Sequence, residues 1–344
     1  MSNLVGKPSP SRLETLVQGA LGAPSKQVLV GPGPGLDAAI LETADGRVMA
    51  IAEDPIFPAP GLPLDIMGWF TVHIGASDVA VTGVKPEFMT YTLLLPPHCP
   101  EKDGRTIINS ISHAASELGI TIVGGHTGWY GAVNLPTVGG VTVWGHADRD
   151  AWISPGGARH GDMILMTKGP CIEAAALLSI VYQDRLAREL SSEMLASLRR
   201  RVDQTSVVKD ALVAFETGGV HAMHDATEGG VMGGLWEMSA ASGIPVDVNF
   251  DIIAIPEDIA ALARVLGFDP WQAISEGTLL AAVAPEAVAG VREAWSRAGI
   301  GSMVLGRFDA ALEKNTLVRH GTRQILQEPE KDPFWELFFA GLET

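Results

Sequence analysis

A chain of 344 residues with 40 acidic and 24 basic side chains carries a formal net charge of -16. That balance excludes a nucleic-acid binder, because phosphate backbones require clustered Lys and Arg. Hydrophobic residues make up 47% and charged residues 19%, so disorder is excluded and the chain can bury the cores of two domains.

The two cysteines, Cys99 and Cys171, lie far apart with no CxxC. This excludes a disulfide scaffold and a thiolate zinc site and points to a reducing cytoplasm. The opening MSNLVGKPSPSRLE has no apolar signal core, and no apolar run reaches membrane-spanning length. The expectation is a cytoplasmic protein with neither membrane nor nucleic-acid partner.

In chain order, the first signal is GPGPGLDAAI at 31–40, where Gly31, Gly33 and Gly35 alternate with prolines ahead of Asp37. The prolines stiffen the loop and the glycines permit close backbone approach. It lacks the Gly-Lys-Ser or Gly-Lys-Thr of a P-loop and the spacing of a dinucleotide fingerprint, and a rigid surface turn accounts for it equally well. Val48–Ala52 reads as a strand ending in Glu53-Asp54, and Leu64–Val81 as a helix in which Asp78 sits among apolar neighbours. Phe88–Leu95 is predicted as a strand stopped by Pro96-Pro97, and Ile107–Leu118 as a helix stopped by Gly119. Strands are expected at Thr121–Val123 and Thr137–Trp144, separated by a loop GGHTGWYGAVNLP. In that loop His126 could be a metal ligand, a phosphate donor or a general base, or an imidazole satisfied by a tight turn.

Asp148–Asp162 has loop composition and marks the expected domain boundary. Beyond it the spacing predicts strand Met163–Thr167, helices Glu173–Tyr182 and Val207–Phe215, helix 230–241 and strand Val246–Phe250. Helix 257–265, strand Thr278–Val283, helix Pro285–Ala298 and strand Met303–Phe308 complete the set. Short strands joined by full helices imply an α+β or α/β layered fold with helices covering one face of each sheet.

The densest chemistry lies at 223–238, MHDATEGGVMGGLWEM. Acidic and hydroxyl groups precede a glycine-rich helix start, whose unpaired N–H groups and positive dipole end suit an oxyanion. A glycine-rich start that packs closely on a sheet is the alternative. Asp37, Asp54 and Asp78 on separate elements are the oxygen donors that a Mg²⁺–triphosphate needs. Lys85 and Lys168 are loop-adjacent cations that could meet phosphate or simply be solvated.

Gly35-x-Asp37-Ala38-Ala39, the Asp54 strand end, SDVAVTGVKP at 77–86, GGHT at 124–127 and HDATEGG at 224–230 occur in this order. Together they resemble the superfamily of aminoimidazole ribonucleotide (AIR) synthase, the hydrogenase maturation factor HypE, selenophosphate synthetase and thiamine-monophosphate kinase. The resemblance implies an α+β, two-domain AIR synthase-like (PurM-like) fold. It divides the chain into a nucleotide-binding and dimerisation domain at 1–150, an α/β layered domain at 151–325 and a tail at 326–344. It further implies a homodimer formed by pairing of N-terminal sheets, ATP and Mg²⁺ as cofactors, and a small-molecule substrate, with a maturation partner protein as a further possibility.

By resemblance Asp37, Asp54, Asp78 and Asp225 would hold Mg²⁺ and phosphates, and Asp78, Asp225 and His126 would act in catalysis. Gly31, Gly33 and Gly35 would cover the nucleotide, with Gly124, Gly125, Thr127, Thr227, Gly229 and Gly230 binding it. HypE is the nearest subfamily, but the chain ends WELFFAGLET without the terminal cysteine that HypE uses. The implied chemistry is phosphoryl transfer from ATP to a small oxygen acceptor. The alternatives are a small-molecule kinase similar to thiamine-monophosphate kinase and a nucleotide-binding assembly protein without turnover.

Overall fold

The computed structural model describes residues 5–17, 19–57 and 62–342. In chain order these form α1 (Pro10–Val17), β1 (Val28–Val30), β2 (Ala39–Glu42), β3 (Val48–Ile56), α2 (Leu64–Ala80), β4 (Phe88–Leu95), α3 (Glu101–Leu118), β5 (Thr121–Trp129) and β6 (Thr137–Ala147). Next come β7 (Met163–Thr167), α4 (Ile172–Val181), α5 (Gln183–Glu189), α6 (Ser192–Arg200), α7 (Val208–Thr217), β8 (Val220–Asp225) and α8 (Gly230–Ser242). The remainder is β9 (Val246–Asn249), α9 (Glu257–Leu266), β10 (Leu279–Val283), α10 (Val288–Arg297), β11 (Ser302–Phe308), β12 (Thr316–Arg319), β13 (Thr322–Ile325) and α11 (Pro333–Leu342). Among the described residues no helix is long and apolar enough to cross a membrane.

The chain divides into two compact units. A six-stranded unit takes Gln27–Gly31 and Asp37–Trp152. A seven-stranded unit takes Ile153–Thr344, Pro32–Leu36 and the described part of Met1–Lys26. The sequence expectation placed all of 1–150 in one domain, whereas the opening segment groups with the later unit.

The six-stranded sheet runs β1-β2-β3-β6-β4-β5. Its strands are antiparallel except β4 and β5, which run parallel and are joined by the α3 crossover. Burial alternates along β6, as expected of a sheet packed on one face. Helix α2 lies across β3 and β6 and against α3. Gly68 lets it approach closely, since a Cβ there would sit 2.4 Å from Ser110 on α3.

Strand β5 corrects the expected loop. Its glycines have poor strand propensity, yet they pair along the whole of β4. The register slips once, with Met89 opposite Ile122 and Thr90 opposite Gly124, so Val123 bulges outward. Gly125 then takes φ +138°, and a Cβ on it would lie 2.2 Å from the Tyr91 carbonyl oxygen. Strand β3 and helix α3 also outrun their expected bounds, as does β6, which continues to Ala147. Strand β3 continues through Pro55 to Ile56, with its irregularity between Asp54 and Ile56, where a missing N–H is tolerated. Helix α3 begins at Glu101, with Glu101 and Asp103 favourably placed in its first turn.

The seven-stranded sheet runs β13-β12-β9-β11-β7-β10-β8. All five residues of β10 are buried, so both faces of this sheet are covered rather than one. One face carries a core of Ile164, Met166, Ala222, Leu235, Met238, Leu280 and Leu305. Trp295 of α10 is fully buried, its indole N–H donating to the Asp210 carbonyl at 2.8 Å. Strand β8, VHAMHD, has little strand-like composition and was not expected; burial against β10 overrides its propensity.

Gly125→Ala is expected to destabilise the protein by about 2 kcal/mol or more, through positive φ and a backbone collision. Gly131→Ala, with nothing within 4 Å of the added carbon, should leave thermal unfolding unchanged. Equal melting temperatures for the two variants would contradict this packing.

Candidate functional site

In the six-stranded unit the register fixes where the candidate carboxylates lie. Ala39 stands opposite Ile51 and Ile40 opposite Ala50. Asp37 lies two residues before the start of β2, outside the paired strand, and Asp54 lies near the end of β3, opposite Val141 of β6. Asp78 occupies the last turn of α2, half-buried, with Val79 and Ala80 fully buried beside it.

The GGHT residues lie elsewhere in the sheet. Asp54 pairs with Val141, Val141 with Tyr91, and Tyr91 with Gly125. Three strand spacings, about 14 Å, therefore separate Asp54 from Gly125, and His126 follows on the same outermost strand. Gly124, Gly125, His126 and Thr127 are thus not brought to Asp54 within this unit. His126 is exposed, and its Nε2 lies 2.5 Å from the Tyr130 hydroxyl.

In the seven-stranded unit three turns meet at one end of the sheet, after β7, after β8 and before β10. The Thr278 hydroxyl donates to the Gly169 carbonyl at 2.6 Å, so the Ser275 hydroxyl must donate to Thr278 Oγ1, also at 2.6 Å. Ser275 Oγ in turn accepts the Ile172 N–H at 3.1 Å. The Ala226 N–H donates to the Thr278 carbonyl, and the Ser275 N–H to that of Thr227. Asp225, 1% exposed, stands at the end of β8 opposite Leu279.

The first of these turns holds two non-glycine residues at positive φ, Lys168 at 58° and Cys171 at 65°. Lys168 Nζ donates to the Ser206 carbonyl at 2.7 Å and lies 2.8 Å from buried Asp210. That ion pair takes up the charge which the sequence left open for phosphate.

The glycines of the third motif all have protein on their Cβ side. Gly229 (φ +83°) lies under Pro329, and a Cβ on Gly230 (φ +60°) would meet the Ala273 carbonyl at 2.6 Å. Gly35 (φ +69°) closes on α8, where a Cβ would meet the Glu237 carbonyl at 2.6 Å. Gly33 faces Leu36 of its own loop, and Gly31 faces Val28. The glycine loop expected to cover a nucleotide is therefore used, at Gly35, to approach a helix. The Gly229 N–H, an oxyanion donor by expectation, donates to Asp332 Oδ2 at 2.8 Å.

Buried acids surround this junction. His224 Nε2 lies 3.0 Å from Glu237 Oε2. Burial works to raise the Glu237 carboxyl, but the His224 hydrogen bond and the Lys7 charge outweigh it and hold it below the usual range. Burial pushes Glu173 up to about 8, helped by the charges of Glu228 and Asp332. Burial likewise raises Asp332 to about 7, against the N–H groups of Gly229 and Phe334 and with the charge of Glu228. Burial also raises the Cys171 thiol, which has no exposed surface. Sequence reasoning missed Glu173, Glu276 and Asp332 as members of this group. Glu276 lies in SEGTLLAAV, whose serine and glutamate immediately precede a strand and offered a usable signal. Asp332 offered none.

A raised Glu173 ties stability to pH. Its ordinary value is 4.5 and its folded value about 8, so folding takes up a proton between them. The stabilisation is complete below the lower value and lost as pH rises through the upper one. Melting temperatures from about pH 5 to 9 should fall more steeply for wild type than for Glu173→Gln. Parallel curves would show that Glu173 is ionised throughout.

Comparison with known proteins gives matches along both units. The family model for the N-terminal domain of AIR synthase related protein matches residues 35–147, and that for the C-terminal domain matches 159–316. Carbamoyl dehydratase HypE of Cupriavidus necator is 30% identical over 254 residues, covering 72% of this chain and 68% of that protein. Among solved structures, hydrogenase maturation protein HypE in complex with ATP superposes with a TM-score of 0.68 at 21% identity, over 96% of this chain and 97% of that one. The structure described as AaThiL complexed with AMPPCP and TMP gives 0.72 at 16% identity, over 94% and 96%. At these identities the two structures establish the likeness of the fold.

Proposed function

We propose an activity from one premise: the chain belongs to the AIR synthase related protein family, through both its N-terminal and its C-terminal domains. It is an ATP-using enzyme that transfers a phosphoryl group to an oxygen atom of a small acceptor. The observation that carries this reading is the match of both family models, over residues 35–147 and 159–316, which span Asp37, Asp54 and Asp78 of the six-stranded unit and Asp225 of the other. Such an all-carboxylate donor set fits a hard cation such as Mg²⁺. ATP binding by a structural relative and carbamoyl dehydratase activity in a sequence relative support it.

Asp37, Asp54 and Asp78 would hold Mg²⁺ on the six-stranded unit. On the seven-stranded unit Asp225, Thr227, Gly229 and Gly230 form the turn proposed to face phosphate. When bound, Mg²⁺ would neutralise charge on the phosphate oxygens and ATP would supply the phosphoryl group. The acceptor oxygen would bond to the γ-phosphorus as the bond to the ADP oxygen breaks; an amide or carbamoyl acceptor would give up its proton from nitrogen, leaving an O-phosphorylated imidate, whereas a hydroxyl acceptor would give it up from oxygen.

The acceptor is a separate molecule rather than a thiol of the protein. Cys99 is 9% exposed and Cys171 not at all, and burial raises both thiols above their ordinary range. The chain therefore presents no reactive sulfur of its own, and the acceptor class is an amide, carbamoyl or similar oxygen. A small-molecule kinase is the second reading, favoured by an equally close fold in a protein solved with AMPPCP and TMP.

The outermost strand β5, with Val123, Trp129 and Tyr130 exposed on or beside it, is the proposed pairing edge of a homodimer. His126 belongs to that edge, so any catalytic role of His126 would be exercised there.

Calorimetry should show ATP binding that requires Mg²⁺ and weakens about tenfold or more on Asp78→Ala. Turnover with amide or carbamoyl acceptors should fall at least as far on Asp54→Ala. Tight binding indifferent to Mg²⁺ and to Asp78 would remove the metal assignment, and binding without any turnover would leave a nucleotide-binding module.

A further inference from the structure

A cavity of about 380 Å³ runs along the second half of α8. Trp236 and Ala240 of α8 form one wall, Pro34 and Leu36 the second, and Ser11 and Glu14 of α1 the third. All three walls belong to the seven-stranded unit. The volume falls at the lower end of small-molecule pockets, roughly 300–1,000 Å³.

Two of the walls are preformed. The Leu36 N–H donates to the Gly33 carbonyl at 3.2 Å and closes a tight turn. The Leu36 side chain folds back over Gly33, 3.1 Å from where a Cβ would lie. Gly35, in the same turn, is seated on the Glu237 carbonyl of α8, so loop and helix form one surface. The α1 wall is held less firmly. Ser11 gives its N–H and its hydroxyl to Glu328, at 2.8 and 2.7 Å, among exposed groups where water competes. A wall tied in that way yields more readily than one packed on a helix, and admits a ligand from the α1 side.

The lining chemistry favours positive charge on an apolar body. Trp236 is half-buried, and an indole ring attracts cations through its quadrupole. Pro34 and Leu36 supply apolar contact, and Glu14 supplies a carboxylate at the exposed rim. Glu328 sets a second carboxylate behind Ser11. Trp236 and Ala240 lie in the last two turns of α8, at the negative end of its dipole, and its last turn carries no basic residue. The net charge of -16 draws small cations toward the surface and repels anions from it.

We propose that this cavity binds a small organic cation, an ammonium group carried on an apolar or aromatic body. The ammonium meets Glu14 and the Trp236 ring, and the body packs on Pro34 and Leu36. The site shares no residue with the groups proposed to hold Mg²⁺ and phosphate, and its occupant ties α1 to α8.

Calorimetry on the full chain at low salt tests this, with benzyltrimethylammonium as the probe and benzenesulfonate as an anion of similar size. The cation should bind at one site per chain and the anion should give no binding heat. Glu14→Gln should weaken the cation about threefold, as a rim charge does, and Trp236→Leu about tenfold. Ala240 is exposed, so Ala240→Trp should fill the cavity and abolish binding while the melting temperature holds; it decides the matter if Trp236→Leu fails to fold. The probe should slow hydrogen exchange of residues 10–17 in wild type and leave Ala240→Trp unchanged. Absence of cation binding, equal binding of the anion, or full affinity in a folded Ala240→Trp overturns the proposal. Binding of an arginine-rich peptide without binding of the small cation overturns it as well, and gives the surface to a partner protein.

Discussion

The seven-stranded unit depends on two hydroxyl groups that knit three turns into one end of its sheet. Thr278 spans from the turn after β7 to the strand β10, and Ser275 relays that bond to the first amide of α4. Each hydroxyl is fully buried and each donor proton has a single place to go, so the arrangement has one low-energy form. The turns after β7 and β8 carry the backbone conformations that sequence alone would find implausible, including Lys168 and Cys171 at positive φ. The relay holds Gly169 and Ile172, which flank those residues, while Lys168 is held further by Ser206 and Asp210.

The glycine-rich motifs take a different meaning once their neighbours are known. Gly35, Gly229 and Gly230 each combine positive φ with a backbone oxygen or a proline where a Cβ would stand. They permit close packing of protein on protein. In the seven-stranded unit Glu173, Asp225, Glu276 and Asp332 are buried acids. Both glycine loops fix where those acids stand, and a substitution in either would act first through the fold.

Much of the architecture was legible because punctuation and composition agree. Helix α2 is a long apolar run, β4 a run closed by two prolines, and β7 and β10 short apolar runs between turns. Strand β5 was illegible because its glycines read as loop, and only the partner β4 and one bulge make it a strand. Strand β8 was illegible because His and Asp are poor strand residues, tolerated where β10 supplies pairing and burial. Asp37, Asp54, Asp78 and Asp225 stood out as acids in apolar or glycine-rich settings. Glu173 looked like an ordinary first-turn helix acid, and Asp332 an ordinary charge in a polar tail. Their character comes from burial beside residues distant in sequence, which no local pattern encodes.

The complete burial of β10 also governs when the candidate turn can exist. Its partners β7 and β8 begin at Met163 and Val220, whereas β10 itself begins at Leu279. During synthesis the earlier strands emerge with apolar faces and no central strand to join them. The turn after β8 acquires its hydrogen-bonding partners only when Ser275 and Thr278 arrive. Nascent chains ending before β10 therefore expose a strongly apolar half-sheet, and folding waits on a pairing of long sequence separation. The candidate turn therefore forms late in synthesis, which makes its assembly a matter of timing as much as of final stability.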